Sequence, residues 1–409
     1  MKAYKLISLT IALMFLCAGC SENSNLQRTH ISATEALTKK KIVFSTNSVT
    51  QQLKQLAKEF EQKNPNIEVE IEFMPEVDKT YNARIAVNEL TDITVIPQIP
   101  DNPSDYFVPL NDLGFSSDDF IIPMELSYAI PIGANYDGMI YNKAAFKEAG
   151  INKAPATMDE LYDACKKLKA KGITPLAINL KDKWPTQWYT LRYPIEYLNN
   201  PDYWAELSDK EKFLTNDSPI LKILLTLRDL NKKGYLEHDV TNSDWNQMRK
   251  DMAFGKIAMT FLGSWFIPQL IENGAAPSDI GMFPFPGTKC VELFYDYHYA
   301  ISKNSKNIDA AKAFMKFAWE GSKISKALGM SSPFKDSNNN IDAIKELLSY
   351  NIPTRSGLGD TSSFTSMIVA SNINLQSDLC SDFILSDNPD NIVREYNKRW
   401  LDGRKKLGK

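Results

Sequence analysis

The apolar positions of this chain switch between two periods, and the switches lay out its elements. Residues 41–46, KIVFST, are a short apolar run that reads as a buried strand. Leu53, Leu56, Ala57 and Phe60 then recur at helical spacing until Pro65-Asn66 breaks the pattern. In IEVEIEF the apolar residues Ile67, Val69, Ile71 and Phe73 alternate strictly, which predicts a second strand. A helical stretch over 79–90 leads to DITVI, a third strand at 92–96. Strand–helix–strand–helix–strand is the opening of an α/β domain with a largely parallel sheet. The first turn, STNSVT, has neither GxGxxG nor a P-loop, so nothing supports a nucleotide.

After residue 134 the same style resumes with new material. Thr157 and Glu160 stand as a capping box before a helix that Gly172 stops. ITPLAINL follows as a strand. Ser218-Pro219 opens a helix that closes at Gly234. SDWNQMRKDMAFG reads as a helix, KIAMTFL as a strand and YAIS as another. NIDAAKAFMKFAWEG is a helix with Ala310, Phe314 and Phe317 inward. There is no internal repeat and no Gly/Ser linker, so the two α/β units are joined by short crossings. One local oddity stands out. In MAFGKIAMTFLGSWF a tryptophan, Trp265, comes just beyond a Gly-Ser turn, where a large apolar side chain meets solvent.

Composition narrows the function. The 409 residues are 43% hydrophobic and 24% charged, with a formal charge of −3, so no basic field points to nucleic acid. Aromatics reach 11%, with seven Trp and 17 Tyr. They serve either a generous core or a carbohydrate-binding surface, since ring faces pack against sugar C–H groups.

The N-terminus reads as a processing signal. Lys2 and Lys5 precede a short apolar run that ends in LCAGC. Small residues before Cys resemble a bacterial lipobox, with Cys17 where the pattern usually has Leu. Residues 1–19 are then the lipoprotein signal peptide, Cys20 the lipidated residue, palmitate among its acyl groups, and 20–40 a polar tether. Cys17 and Cys20 form a CxxC, but Cys17 would leave with the signal. Cys165, Cys290 and Cys380 are an odd, widely spaced set and a poor disulfide framework. Cys165 shares a helix face with Leu161 and Leu168 and reads as a buried free thiol. Neither a metal site nor a cofactor is expected.

Five segments in order then match a known family: LAKEFEQKNPNIEVEIEF, IPIGANYDGMIYNKAAFKEAGI, APATMDELYDACKKLKAKGITPLAI, FGKIAMTFLGSW and AISKNSKNIDAAKAFMKF. Over residues 41–330 the chain resembles the extracellular solute-binding proteins of ABC importers, in the carbohydrate-binding group that includes maltose-binding protein. The resemblance implies a periplasmic-binding-protein-like α/β fold of two lobes. The first is 41–134 with 299–331, the second 135–298 with 332–409. Crossings are expected near 134–136, 297–299 and 331–334. It further implies a sugar held in the cleft, closure by hinge motion, and a monomer that docks on an ABC permease outside the cytoplasm, tethered by lipid.

A sugar needs rings for its faces and planar polar groups for its hydroxyls. By this resemblance Trp265 falls where the family places a stacking ring; the alternative is a capping Trp packed under the hinge. Asp182 and Trp184 fall where maltose-binding proteins carry a carboxylate and an aromatic, with Trp188 as the fallback ring. Asn135 and Asp137, in the first crossing, lie at the cleft floor by position; Asn135 is the expected ligand contact, and the alternative for Asp137 is a turn residue before Gly138. Asn47 and Ser48, and Gln98 and Asp101, follow strands at their C-terminal ends, where open α/β sheets bind ligands. Asp296 and His298, in FYDYHYAIS, are expected to reach the ligand from the hinge. Two rival readings come from the same residues. Tyr295, Tyr297 and His298 offer ligand types for ferric iron, and Asp182 with Asp296 is the one pair to nominate for a glycoside hydrolase.

Overall fold

The first apolar run becomes a central strand of a five-stranded sheet. This sheet is built from β1 (Lys40–Thr46), β2 (Ile67–Phe73), β3 (Ile93–Ile96), β4 (Ile130–Pro131) and β10 (His298–Ile301), in the order β2-β1-β3-β10-β4. The computed structural model describes residues 39–124, 127–335, 341–357 and 361–409. The signal peptide, Cys20 and the tether up to residue 38 lie outside the described residues.

β1 pairs parallel with β2 and β3, as the strand–helix–strand pattern requires, while β10 runs antiparallel to β3 and β4. Ile42 and Phe44 of β1 are fully buried, and Phe44 stacks on Tyr299 of β10 at 5.0 Å. β2 is an edge strand, so its alternation fades, and Phe73 at its end is 58% exposed. The first helix, Gln51–Lys63, buries Leu53, Leu56, Ala57 and Phe60. Its Thr50 cap accepts the Leu53 N–H at 3.0 Å, a contact type that stabilises by about 1 kcal/mol. The next helix spans Val77–Ala86, two residues earlier at its start and four at its end than its pattern suggests.

The second sheet contains β5 (Ala134–Asn142), β6 (Thr174–Ala177), β7 (Ile257–Gly263), β8 (Ile280–Phe283), β9 (Val291–Tyr295) and β11 (Thr354–Ser356). Its order is β11-β9-β5-β7-β6, with β8 also paired to β5. The central strand β5 has no apolar run to announce it. All nine of its residues are buried, among them Asn135, Asp137 and Asn142. Each of these polar side chains has a partner. Asn142 Oδ1 caps the helix Lys143–Glu148 through Ala145 N–H at 2.9 Å, while its Nδ2 donates to Met252 O at 3.1 Å.

The Thr157–Glu160 capping box forms, Gly172 sits at φ +74° past the helix end, and Cys165 is buried. C-terminal helices Asp342–Ser349, Ser362–Ser371, Asp378–Leu385 and Pro389–Lys406 pack into the core of this second lobe, where Trp400 stacks on Phe213 at 5.2 Å.

The chain crosses between the sheets from Pro131 to Ala134, from Tyr295 to His298, and beyond Leu328. The crossing segments are laced together. Ile132 N–H donates to Tyr297 O at 3.1 Å, Asp296 N–H to Gly133 O at 3.0 Å, and Ala134 N–H to Ser331 O at 3.0 Å. Among the described residues no helix is long and apolar enough to cross a membrane.

Candidate ligand cleft

β7 delivers the chain to the edge of the second sheet. Gly263 is opposite Asp137 in the β5–β7 register. Ser264 then staples the turn to β5. Its N–H donates to Tyr136 O at 2.8 Å, its Oγ accepts the Tyr136 N–H at 3.1 Å, and its Oγ–H donates to Asn135 Oδ1 at 3.0 Å. Trp265 follows, partly exposed, at the head of the helix Phe266–Glu272. Gly263 is needed here for space rather than for backbone freedom. A Cβ at that position would lie 2.4 Å from the Trp265 Nε1 and 3.0 Å from the Phe294 Cζ.

The other rings come from the segment after β6. Asn179 Oδ1 accepts the Asp182 N–H at 3.0 Å, and the chain turns through Lys183 at φ +63° into the short helix Trp184–Thr186. A π-helical turn, Trp188–Arg192, follows and runs on into the helix Tyr193–Leu198. Such turns are rare and gather at functional sites. Trp265 stands 5.8 Å from Trp184 and 5.6 Å from Trp188, centroid to centroid. Trp245 backs the group, 4.7 Å from Trp184 and 6.0 Å from Trp265. Rings at these distances support one another by about 0.5–1.5 kcal/mol per pair.

The rings form one side of a cavity of ≈ 790 Å³ between the two lobes. The second lobe also contributes Gln187, Arg249, Gln269, Glu272 and Phe294, and the first lobe faces it with Asn47, Ser48, Asp78 and Pro97. Tyr295, Asp296, Tyr297 and His298 form the back, on the crossing segment. Both the volume and the mixture of rings and polar groups are those of a small-molecule site.

Of the residues expected at the site, Trp265, Trp184, Asn47, Ser48, Asp296 and His298 line this cavity, as does the fallback ring Trp188. The others fall outside the lining. Asp182 is exposed, and its Oδ2 accepts the Trp245 N–H at 2.7 Å, so it holds the backing ring's helix in place. Asn135 is buried and donates through Nδ2 to Asp296 Oδ2 at 2.8 Å. Gln98 and Asp101 are exposed, and Pro97 and Asp78 occupy the first-lobe side instead. Asp78, Arg249, Gln269, Glu272 and Phe294 escaped the sequence reading because nothing local marks a surface residue that another lobe will face.

Charge in the cavity is mixed. Burial raises the Asp296 carboxyl, offset by hydrogen bonds from Tyr297 N–H and the Asn135 amide. Burial lowers His298 to about 4, so the ring is neutral at pH 7. Arg249 donates to Gln269 Oε1 at 3.3 Å and to Asn246 Oδ1 at 2.5 Å, while its Nε finds no partner among the described residues. Tyr295 OH is already engaged, donating to Ile122 O at 2.6 Å. Among the described residues no cluster of three His, Cys, Asp or Glu could hold a metal ion. The Asp182–Asp296 pair is not assembled, since only Asp296 lines the cavity.

Two α/β lobes, three laced crossings and a ring-walled interlobe cleft define a hinged binding protein. The chain belongs to the bacterial extracellular solute-binding protein family, whose profile matches residues 46–319. It is 26% identical over 340 residues to a multiple sugar-binding protein of Streptococcus mutans, covering 78% of this chain and 79% of that one. A manno-oligosaccharide-specific solute-binding protein of Bifidobacterium animalis subsp. lactis, solved with mannotriose, superposes with a TM-score of 0.73 at 23% identity, over 91% of this chain and 96% of that chain. A sugar transporter protein of Bacillus licheniformis, solved with stachyose, gives 0.65 at 19% identity, over 89% and 100%.

Proposed function

We propose that this protein is the sugar-capturing component of an ABC importer, taking a neutral mono- or oligosaccharide into the interlobe cleft and presenting it to a membrane permease. The observation that carries the reading is the aromatic wall, in which Trp184 and Trp265 are partly exposed and Trp188 is 6% exposed, since exposed ring surface packs against sugar C–H groups. Around it stand hydroxyl partners: Asn47, Ser48, neutral His298 and Asp296. The lining carries the carboxylates Asp78, Glu272 and Asp296 against the single guanidinium of Arg249. That balance disfavours an anionic solute. Lobe boundaries are taken at 41–134 with 299–331 and 135–298 with 332–409. The chain works as a monomer, held at the outer face of the cell membrane by lipid on Cys20, a reading supported by the LCAGC segment.

A melting screen over mono- and oligosaccharides, with mannotriose and stachyose included, tests this. A ligand that binds only the native state raises the melting temperature. At least one neutral sugar should do so, and sugar phosphates should not. A screen in which no carbohydrate shifts the transition overturns the proposal.

A further inference from the structure

The Trp188 ring, in the cleft wall and 6% exposed, is held by a buried carboxyl group. Its indole Nε1–H donates to Asp137 Oδ1 at 2.6 Å, and Asp137 is fully buried in the middle of β5. The second oxygen, Oδ2, has no hydrogen-bond partner among the described residues. Further ionisable groups surround it from three directions. Arg192 closes the π turn that Trp188 begins, Glu196 sits on the helix that continues it, and Glu292 comes from β9. Arg192 pairs with Glu292, and the Glu292 N–H donates to Glu196 Oε1 at 2.9 Å. The Arg192 guanidinium also lies 5.1 Å from the centroid of Phe294, another cleft residue. β7, on the opposite side of β5, brings no ionisable group. Farther out, Arg355 on β11 acts on Cys290 beside Glu196.

Three carboxyls thus share one guanidinium, with Asp137, Glu196 and Glu292 buried and Arg192 partly exposed. Full ionisation of such a group is strongly disfavoured, so protons remain bound. Burial pushes Asp137 up to about 7, with Arg192 pulling it down and Glu292 pushing it up. Glu196 is raised well above the ordinary carboxylate range, first by burial and then by Asp137. An ionised acceptor holds an N–H about twice as strongly as a neutral one. The occupancy of this cluster therefore sets how firmly the Trp188 ring is held.

We infer that Asp137 is the positioning residue of the ring wall: its carboxylate fixes the Trp188 indole, and the Arg192–Glu292–Glu196 group beside it sets the charge that does so, passing proton occupancy to a ring that lines the cleft. The inference takes the cleft to be the sugar site, but its first test needs no sugar. In the full chain labelled with ¹⁵N-indole tryptophan, seven indole N–H signals are available. A Trp188→Phe variant identifies the relevant one. That signal should move with pH, with a midpoint of about 7, and lie farthest downfield at high pH. Asp137→Asn, which keeps the shape, should abolish the movement. Glu292→Gln, which removes a neighbouring negative charge, should bring the midpoint to lower pH. A Trp188 signal that does not titrate in the wild-type protein, or that titrates equally in Asp137→Asn, overturns the inference.

The second readout is calorimetric titration with mannotriose and with stachyose. Affinity should fall by about fivefold as pH drops through the same midpoint, and stay flat in Asp137→Asn. A moving indole signal with pH-independent sugar affinity in the wild type overturns the link to the solute. If neither sugar binds, the sugar reading is what fails, and the indole titration still decides the role of Asp137.

Discussion

Replacing Trp265 with alanine is the sharpest test of the cleft. The ring is partly exposed, lines the cavity, and packs at tilted angles against Trp184, Trp188 and Trp245. A sugar would therefore cover one face. A large aromatic buries about 150–250 Å² in full, and a third of that is roughly 50–80 Å². At about 25 cal/mol per Å² this gives about 1.3–2 kcal/mol, or a loss in affinity of roughly tenfold to thirtyfold. Trp319→Ala supplies the contrast. Trp319 is fully buried in the first lobe, donates to Pro131 O at 2.8 Å and meets Tyr299 edge-on at 5.6 Å. Its loss should cost about 3–5 kcal/mol of stability with little change in affinity. Calorimetry with the sugar found by the melting screen, alongside circular dichroism for folding, separates the two. Wild-type affinity in a folded Trp265→Ala protein refutes the argument and makes the ring structural.

Further outcomes follow from the same geometry. Gly263→Ala puts a methyl group into the Trp265 indole. It should lower sugar affinity without deleting any contact, and near-ultraviolet circular dichroism should report the displaced ring. Saturating sugar should shrink the radius of gyration in solution scattering, because closure favours the bound form; an unchanged radius argues for a rigid site. Cys20→Ala should release the protein from the membrane fraction or leave it unprocessed, and retention like wild type removes the lipid anchor. Stability should depend on pH through Asp137. Its folded value, about 7, lies above the ordinary 3.8. The native state therefore holds the proton more tightly, and this contribution, complete in acid, is lost as pH rises toward and through 7. Melting temperatures of Asp137→Asn and wild type should converge near pH 4, and at pH 8 the variant should melt higher. A wild-type advantage at pH 8 would contradict the sign.

The sequence by itself determined the elements whose signals are local. Leu53, Leu56, Ala57 and Phe60 had only one helical face to share, and Thr157 with Glu160 could cap only one helix start. KIAMTFL, apolar on both faces, had to be a buried strand, and all seven residues of β7 are buried. Trp265 could be singled out because a bulky ring after a Gly-Ser turn breaks the ordinary pattern. β5 carried no such signal. It is a central strand containing Asn135 and Asp137, and these are tolerated inside only because Asp296, Ser264 and Trp188 arrive from distant segments to meet them. Asp137 could be read as a cleft residue or a turn residue, because its partner is 51 positions away. Asp182, expected as a ligand contact, lies outside the cavity lining and accepts the backbone N–H of Trp245. A cleft between lobes is made of surface residues from separate stretches, such as Asp78 and Glu272. Periodicity reports which face of an element is buried, but not what the exposed face will see. Only the crossings, by setting one lobe against the other, decided that.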